Sequence, residues 1–193
     1  MSLNHRLQRW RLQAVLMWLG IWGDGRRVRR ALRVWLEAHP QDTVSRATLA
    51  HWLARDGLWA EAHQALSQSV EETAEQAALW FNLGFVCGRL ARDAEAEQAF
   101  RRAVALDPGL DRAWYGLGLS LIAQDRLLEA RPALETNTHL QPMSPHGWYQ
   151  LARVHNDLGA AQEARRIIHR LQQFEPKVAA QLERETGLTG AAA

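Results

Sequence analysis

The chain has 193 residues, 47% of them hydrophobic and 23% charged, the balance of an ordinary soluble globular chain of one domain or one repeat array. It is long enough for a real core, and its net charge of +2 is too small to imply nucleic acid. The one cysteine, Cys87, excludes an internal disulfide and fits a reducing compartment, so a buried thiol is expected there. Among the 23 basic residues only Lys177 is a lysine.

Residues 1–25 could be mistaken for a targeting signal. Arg6, Arg9 and Arg11 precede an apolar run from Leu12 to Gly23, interrupted by Gln13. That run is about half of what a bilayer span needs. No small-residue cleavage site follows it, and Arg26, Arg27, Arg29 and Arg30 oppose translocation from the far side. An uncleaved cytoplasmic terminus is the expectation. In a first helix, Leu7, Trp10, Ala14, Met17, Trp18 and Ile21 fall on one side, and Leu12, Val15, Leu16, Leu19 and Trp22 on the other. A helix that is apolar all round calls for burial. Its own next helices, a partner or second copy in a homodimer, and a membrane surface are the three candidate covers. Trp10, Met17, Trp18 and Trp22 are the residues assigned to partner binding or self-association.

From residue 9 the chain divides into five equal windows, 9–42, 43–76, 77–110, 111–144 and 145–178. In the first, Leu19, Leu32 and Pro40 fit the later pattern, but Leu16 and Val28 stand where small residues would let paired helices touch, so an irregular hairpin is expected. Val28, Leu32 and Trp35 form the packed stripe of its second helix, leaving Arg26, Arg27, Arg29, Arg30 and Arg33 for a solvated outer face or an electrostatic patch. In the second window Leu49, Ala50, Leu53, Ala62 and Leu66 fit, while Arg46 replaces a tryptophan. The third window, 77–110, is the clearest: Trp80, Leu83, Gly84, Ala96, Phe100, Ala103 and Pro108. Leu83 and Gly84 share the face of Trp80, and the glycine admits a second helix whose matching small residue is Ala96. Phe100 and Ala103 continue that stripe, and Pro108 stops the helix. The fourth window offers Trp114, Leu117, Gly118, Ala130, Leu134 and Pro142. The fifth offers Trp148, Leu151, Ala152, Ala164, Ile168, Leu171 and Pro176. Such hairpins cannot bury their stripes alone and must stack.

These residues and their spacing closely resemble the 34-residue tetratricopeptide repeat. The resemblance implies an all-α, right-handed superhelical solenoid of about five helix-turn-helix hairpins, spanning 1–178, with a capping helix and frayed tail at 179–193. It also implies a non-enzymatic protein-binding scaffold, an adaptor or assembly factor, in which the first helix of each hairpin lines a concave groove. The groove positions of the third and fourth windows bring Phe81, Phe85, Arg112, Tyr115, Leu119 and Ile122. The fifth adds His146, Tyr149, Arg153 and Asn156, the second Ala47 and His51, and Asn82 and Arg89 stand close by. The residues assigned to the peptide groove are Phe81, Asn82, Phe85, Arg89, Arg112, Tyr115, Leu119, Tyr149 and Arg153. Aromatic in the middle and basic at its edges, it suits a peptide with apolar anchors and acidic groups. An alternative is that these rings pack across adjacent first helices. The lysine and asparagine clamp with which some family members grip a terminal carboxylate is missing, since Phe85 and Leu119 replace asparagine and the array has no clamp lysine; this argues against chaperone tails. An oligomerisation or membrane-peripheral unit acting through Leu7 to Trp22 is the competing function.

No catalytic, metal or cofactor site is expected. The histidines, among them His51, His139, His146, His155 and His169, match no metal-ligand spacing, and His155 falls at a core edge. Asp56 and Gly57 read as an interhelical turn. Glu71, Glu72 and Glu75 precede a helix start, where they favour its dipole. After Pro176, Val178 and Leu182 outline a short helix ending at Thr186 and Gly187, with Lys177, Gln181, Glu183, Arg184 and Glu185 turned to water.

Overall fold

The computed structural model describes residues 25–189. Trp10, Met17, Trp18 and Trp22, with the rest of the apolar N-terminal stretch, lie outside the described residues. Among those described there are ten helices and no strand. They are α1 (Gly25–Ala38), α2 (Thr43–Arg55), α3 (Trp59–Glu72), α4 (Ala77–Arg89), α5 (Asp93–Leu106), α6 (Asp111–Ala123), α7 (Leu127–Leu140), α8 (Pro145–Asp157), α9 (Ala161–Phe174) and α10 (Pro176–Thr186). No described helix is long and apolar enough to cross a membrane.

The helices keep the period of the sequence. First helices begin at Thr43, Ala77, Asp111 and Pro145, and second helices at Trp59, Asp93, Leu127 and Ala161. Each hairpin turns through one residue of positive φ at the same place in its window: Gly57 (76°), Ala91 (56°), Asp125 (58°) and Gly159 (77°). After it, the amides of Leu58, Arg126 and Ala160 reach back to the carbonyls of Leu53, Leu121 and His155, at 2.9, 2.9 and 2.8 Å. That bond closes the first helix in a Schellman turn, which a left-handed residue makes possible.

The chain forms two compact units, residues 1–90 and 91–193. In the first, each of α1 to α4 packs on the next. Its core holds Val28, Leu32, Leu53, Ala62 and Leu66, none more than 2% exposed, and Cys87 is a buried thiol. In the second unit α5 to α10 again pack in sequence, and α10 also lies against α8. Ala179 and Leu182 of α10 are fully buried in a cluster with Leu134, Leu151, Ile168 and Leu171. Gly118 shows why a small residue stands on the first helix: a Cβ there would meet the Leu134 side chain at 2.7 Å.

Trp80, Trp114 and Trp148 are half-buried instead of enclosed. Each indole N–H donates to the carbonyl six residues earlier, those of Ala74, Pro108 and Pro142, at 2.7, 2.8 and 3.0 Å. Keeping that bond requires the ring edge to sit at the hairpin's rim. Arg46, at the tryptophan position of the second window, is only 7% exposed. Its guanidinium donates to the Pro40 carbonyl, also six residues earlier, and pairs with Glu72 at 2.8 Å. The arginine therefore replaces the tryptophan N–H with its own.

One expectation about charges is corrected. Arg29 does not point to solvent: it forms an ion pair with Asp56, its side chain 12% exposed, and Arg33 pairs with Glu61. These contacts tie α1 to the α2–α3 turn and to α3. Gln181 and Glu185 of α10 are exposed as expected, and they also reach the Tyr149 hydroxyl.

Candidate functional site

A helix that packs with two neighbours still leaves a stripe of its surface open. On α2, α4, α6 and α8 the open stripe carries the residues that the hairpin pattern does not use. Asn82, Phe85, Arg89, Arg112, His146 and Arg153 are exposed, whereas Phe81, Tyr115, Leu119, Ile122, Tyr149 and Asn156 are half-buried.

Within the first unit, Phe85 and Arg89 are one helical turn apart and both meet a residue that sequence reading missed. The Trp59 ring, at the start of α3, lies 6.2 Å from Phe85, edge to face, with the Arg89 guanidinium 4.8 Å from its centroid. Phe85 remains 49% exposed. The result is an aromatic patch with a fixed cation beside it, suited to an apolar anchor next to a carboxylate. The signal for Trp59 was a tryptophan directly after the Asp56–Gly57 turn, a place with no packing duty in the repeat. On α2, Arg55 stacks in the same way over Trp52, at 4.7 Å.

Within the second unit, Tyr115 and Ile122 pack against the α7–α10 cluster, as does Tyr149. Their rings therefore have a structural duty as well as an open edge. The Tyr149 hydroxyl donates to Glu185 at 2.6 Å, with Gln181 at 3.4 Å from the same oxygen and Arg153 5.8 Å from the ring centroid. The hydrogen bond to Glu185, then burial, push the Tyr149 hydroxyl above its ordinary pKa, and the Tyr149 and Gln181 hydrogen bonds hold Glu185 below its own. A carboxylate thus sits on Tyr149 beside Arg153, supplied by the chain's own α10. His155 is 8% exposed, its Nδ1 lacks a hydrogen-bond partner among the described residues, and burial lowers its pKa.

The geometry agrees with the comparisons with known proteins. Two tetratricopeptide repeat profiles match, one over residues 77–110 and the other over 94–136 and 115–177. No curated protein sequence matches the chain. Among solved structures, MamA (41-end) from Desulfovibrio magneticus RS-1 is 18% identical, covers 96% of this chain and 98% of its own, and superposes with a TM-score of 0.77. YrrB, described as a TPR protein with an unusual peptide-binding site, is 17% identical over 88% of both chains, with a TM-score of 0.78. The first TPR of Spaghetti (RPAP3), bound to the HSP90 peptide SRMEEVD, is 22% identical over 62% of this chain and 94% of its own, with a TM-score of 0.60.

Proposed function

The chain belongs to the tetratricopeptide repeat family, whose members are generally non-enzymatic protein-interaction modules, and we propose that it is an adaptor or assembly factor that captures a peptide segment of a partner protein. The capture residues are, in the first unit, Phe81, Asn82, Phe85 and Arg89 on α4, and, in the second unit, Arg112, Tyr115 and Leu119 on α6 with Tyr149 and Arg153 on α8. The observation that carries this reading is the exposed Phe85 set against Trp59 with Arg89 held beside it. An apolar ring left open to water has no role in hairpin stacking, and a preorganised aromatic with a cation beside it is the usual anchor of a peptide site. The peptide-binding site named for YrrB and the peptide bound to RPAP3 support a peptide as the ligand class.

The test is a displayed-peptide selection against the full chain, followed by fluorescence anisotropy on the enriched peptides. Peptides with apolar anchors and acidic groups are expected, and their affinity should fall about tenfold or more in a Phe81→Ala, Phe85→Ala variant whose circular dichroism is unchanged. Equal binding to the variant and to a Tyr115→Ala, Leu119→Ala variant would remove the first helices from the interaction. The Trp10 to Trp22 stretch would then take their place, as a self-association or membrane-peripheral element.

A further inference from the structure

The outer side of the last hairpin carries charge that capture on the first helices does not use. On α9, Arg166, His169 and Arg170 are all exposed. Together with Ile167, Gln173 and Trp148 of α8 they line a cleft of about 390 Å³. Arg166 and Arg170 stand four residues apart and therefore one above the other on a single helix face, where like charges repel. On the other second helices of this unit, Arg101 and Arg131 are matched by carboxylates. Arg101 meets Glu97 and Glu129 at 2.9 and 3.4 Å, and Arg131 meets Glu135 at 3.7 Å. Among the described residues no carboxylate comes within ion-pairing distance of Arg166 or Arg170.

The Arg170 guanidinium carbon lies 4.4 Å from the centroid of the Trp148 ring. That ring is itself fixed by its N–H bond to the Pro142 carbonyl at 3.0 Å. A cation held over a ring face is positioned without using its N–H donors, so the fork remains available to an anion. We propose that this cleft is a second binding site, taking a carboxylate-bearing segment of a partner protein, with Arg166 and Arg170 as paired forks and Trp148 as a flat wall. Guanidinium pairs match carboxylates in geometry as well as charge. One ring beside the cluster gives no ladder on which successive bases could stack, and a net charge of +2 supplies no long basic track for nucleic acid. Among the described residues the exposed large apolar side chains, Val34, Val44, Leu58, Phe85, Leu128 and Met143, are all off α9, so the helix that carries the arginines presents no apolar stripe to a lipid surface. The site stands apart from the first-helix stripe and is tested apart from it.

The experiment is a titration of the ¹⁵N-labelled full chain with a five-residue acidic peptide, four glutamates around one leucine, and with its glutamine counterpart. The Trp148 indole resonance, assigned with Trp148→Phe, and the amides of α9 should shift with the acidic peptide and not with the neutral one. Apparent affinity should fall about tenfold or more in Arg166→Glu, Arg170→Glu, and measurably in Arg166→Gln alone, which leaves the Trp148–Arg170 stack in place. Shifts that are absent at millimolar peptide, that survive both variants, or that fall away from α9 would overturn the proposal. So would tighter capture of the same resonances by single-stranded DNA or by phosphatidylserine vesicles, which would assign the cleft to another class of anion.

Discussion

Arg46 shows how a single side chain can leave a pattern and keep its physics. Three windows use a tryptophan N–H to satisfy the carbonyl six residues earlier, and here the guanidinium does it while pairing with Glu72. Removing it takes a donor from the Pro40 carbonyl and from the Glu72 carboxylate, both of which water can reach. Arg46→Met should cost about 1 kcal/mol in urea denaturation, whereas Arg46→Trp, which brings back an indole N–H, should cost less. Ala91 makes the opposite case. It holds φ at 56° where two other windows have glycine, a conformation that costs an L-residue roughly 1–2 kcal/mol. Ala91→Gly should therefore raise stability by up to about 1 kcal/mol, part of the gain being offset by the freer unfolded chain. An unchanged or lowered urea midpoint would show that the turn is not strained.

Between helices, Glu97 on α5 joins several polar partners of the second unit. Its carboxylate accepts from Arg101 at 2.9 Å, from Gln124 at the end of α6 at 3.0 Å and from Arg126, before α7, at 2.5 Å, and Arg126 also holds Glu129 at 2.7 Å. Burial is the largest single influence on Glu97 and raises its pKa. The hydrogen bonds from Arg101, Gln124 and Arg126 together outweigh it, so the group lies below its ordinary 4.5. A carboxylate whose folded pKa is depressed contributes stability that is fully present above the unfolded value and is lost as pH falls through the folded one. Lowering the pH from 7 to below 4.5 should thus loosen the α5–α7 connection. In Glu97→Gln that part of the acid loss should disappear, read as a shallower fall of the urea midpoint with pH than in the wild type. A variant as acid-sensitive as the wild type would show that the network adds little. The expectation that failed for a helix-borne charge was Arg29: it lies on its helix's outward half, yet a neighbouring turn brings Asp56 within reach.

Across the molecule, the period, the hairpins, the turn at Gly57 and the buried stripes were all legible in the residue order. Helix faces are set by local spacing of three and four residues, and a repeated unit prints that spacing again in every window. The glycine and alanine positions were legible too, because close helix approach tolerates few side chains. What could not be read there were the meetings of exposed side chains: Trp59 with Phe85 and Arg89, Glu185 with Tyr149 at a separation of 36 residues, and Arg170 with Trp148. Those depend on the distance between neighbouring helices and on the rotamers of long side chains, neither of which has a periodic signature. Residue order therefore settled which surfaces are buried, through the hydrophobic stripe that each helix must cover. The packing of one helix on the next settled what the open surfaces offer, because only there do side chains from different windows come within range of one another.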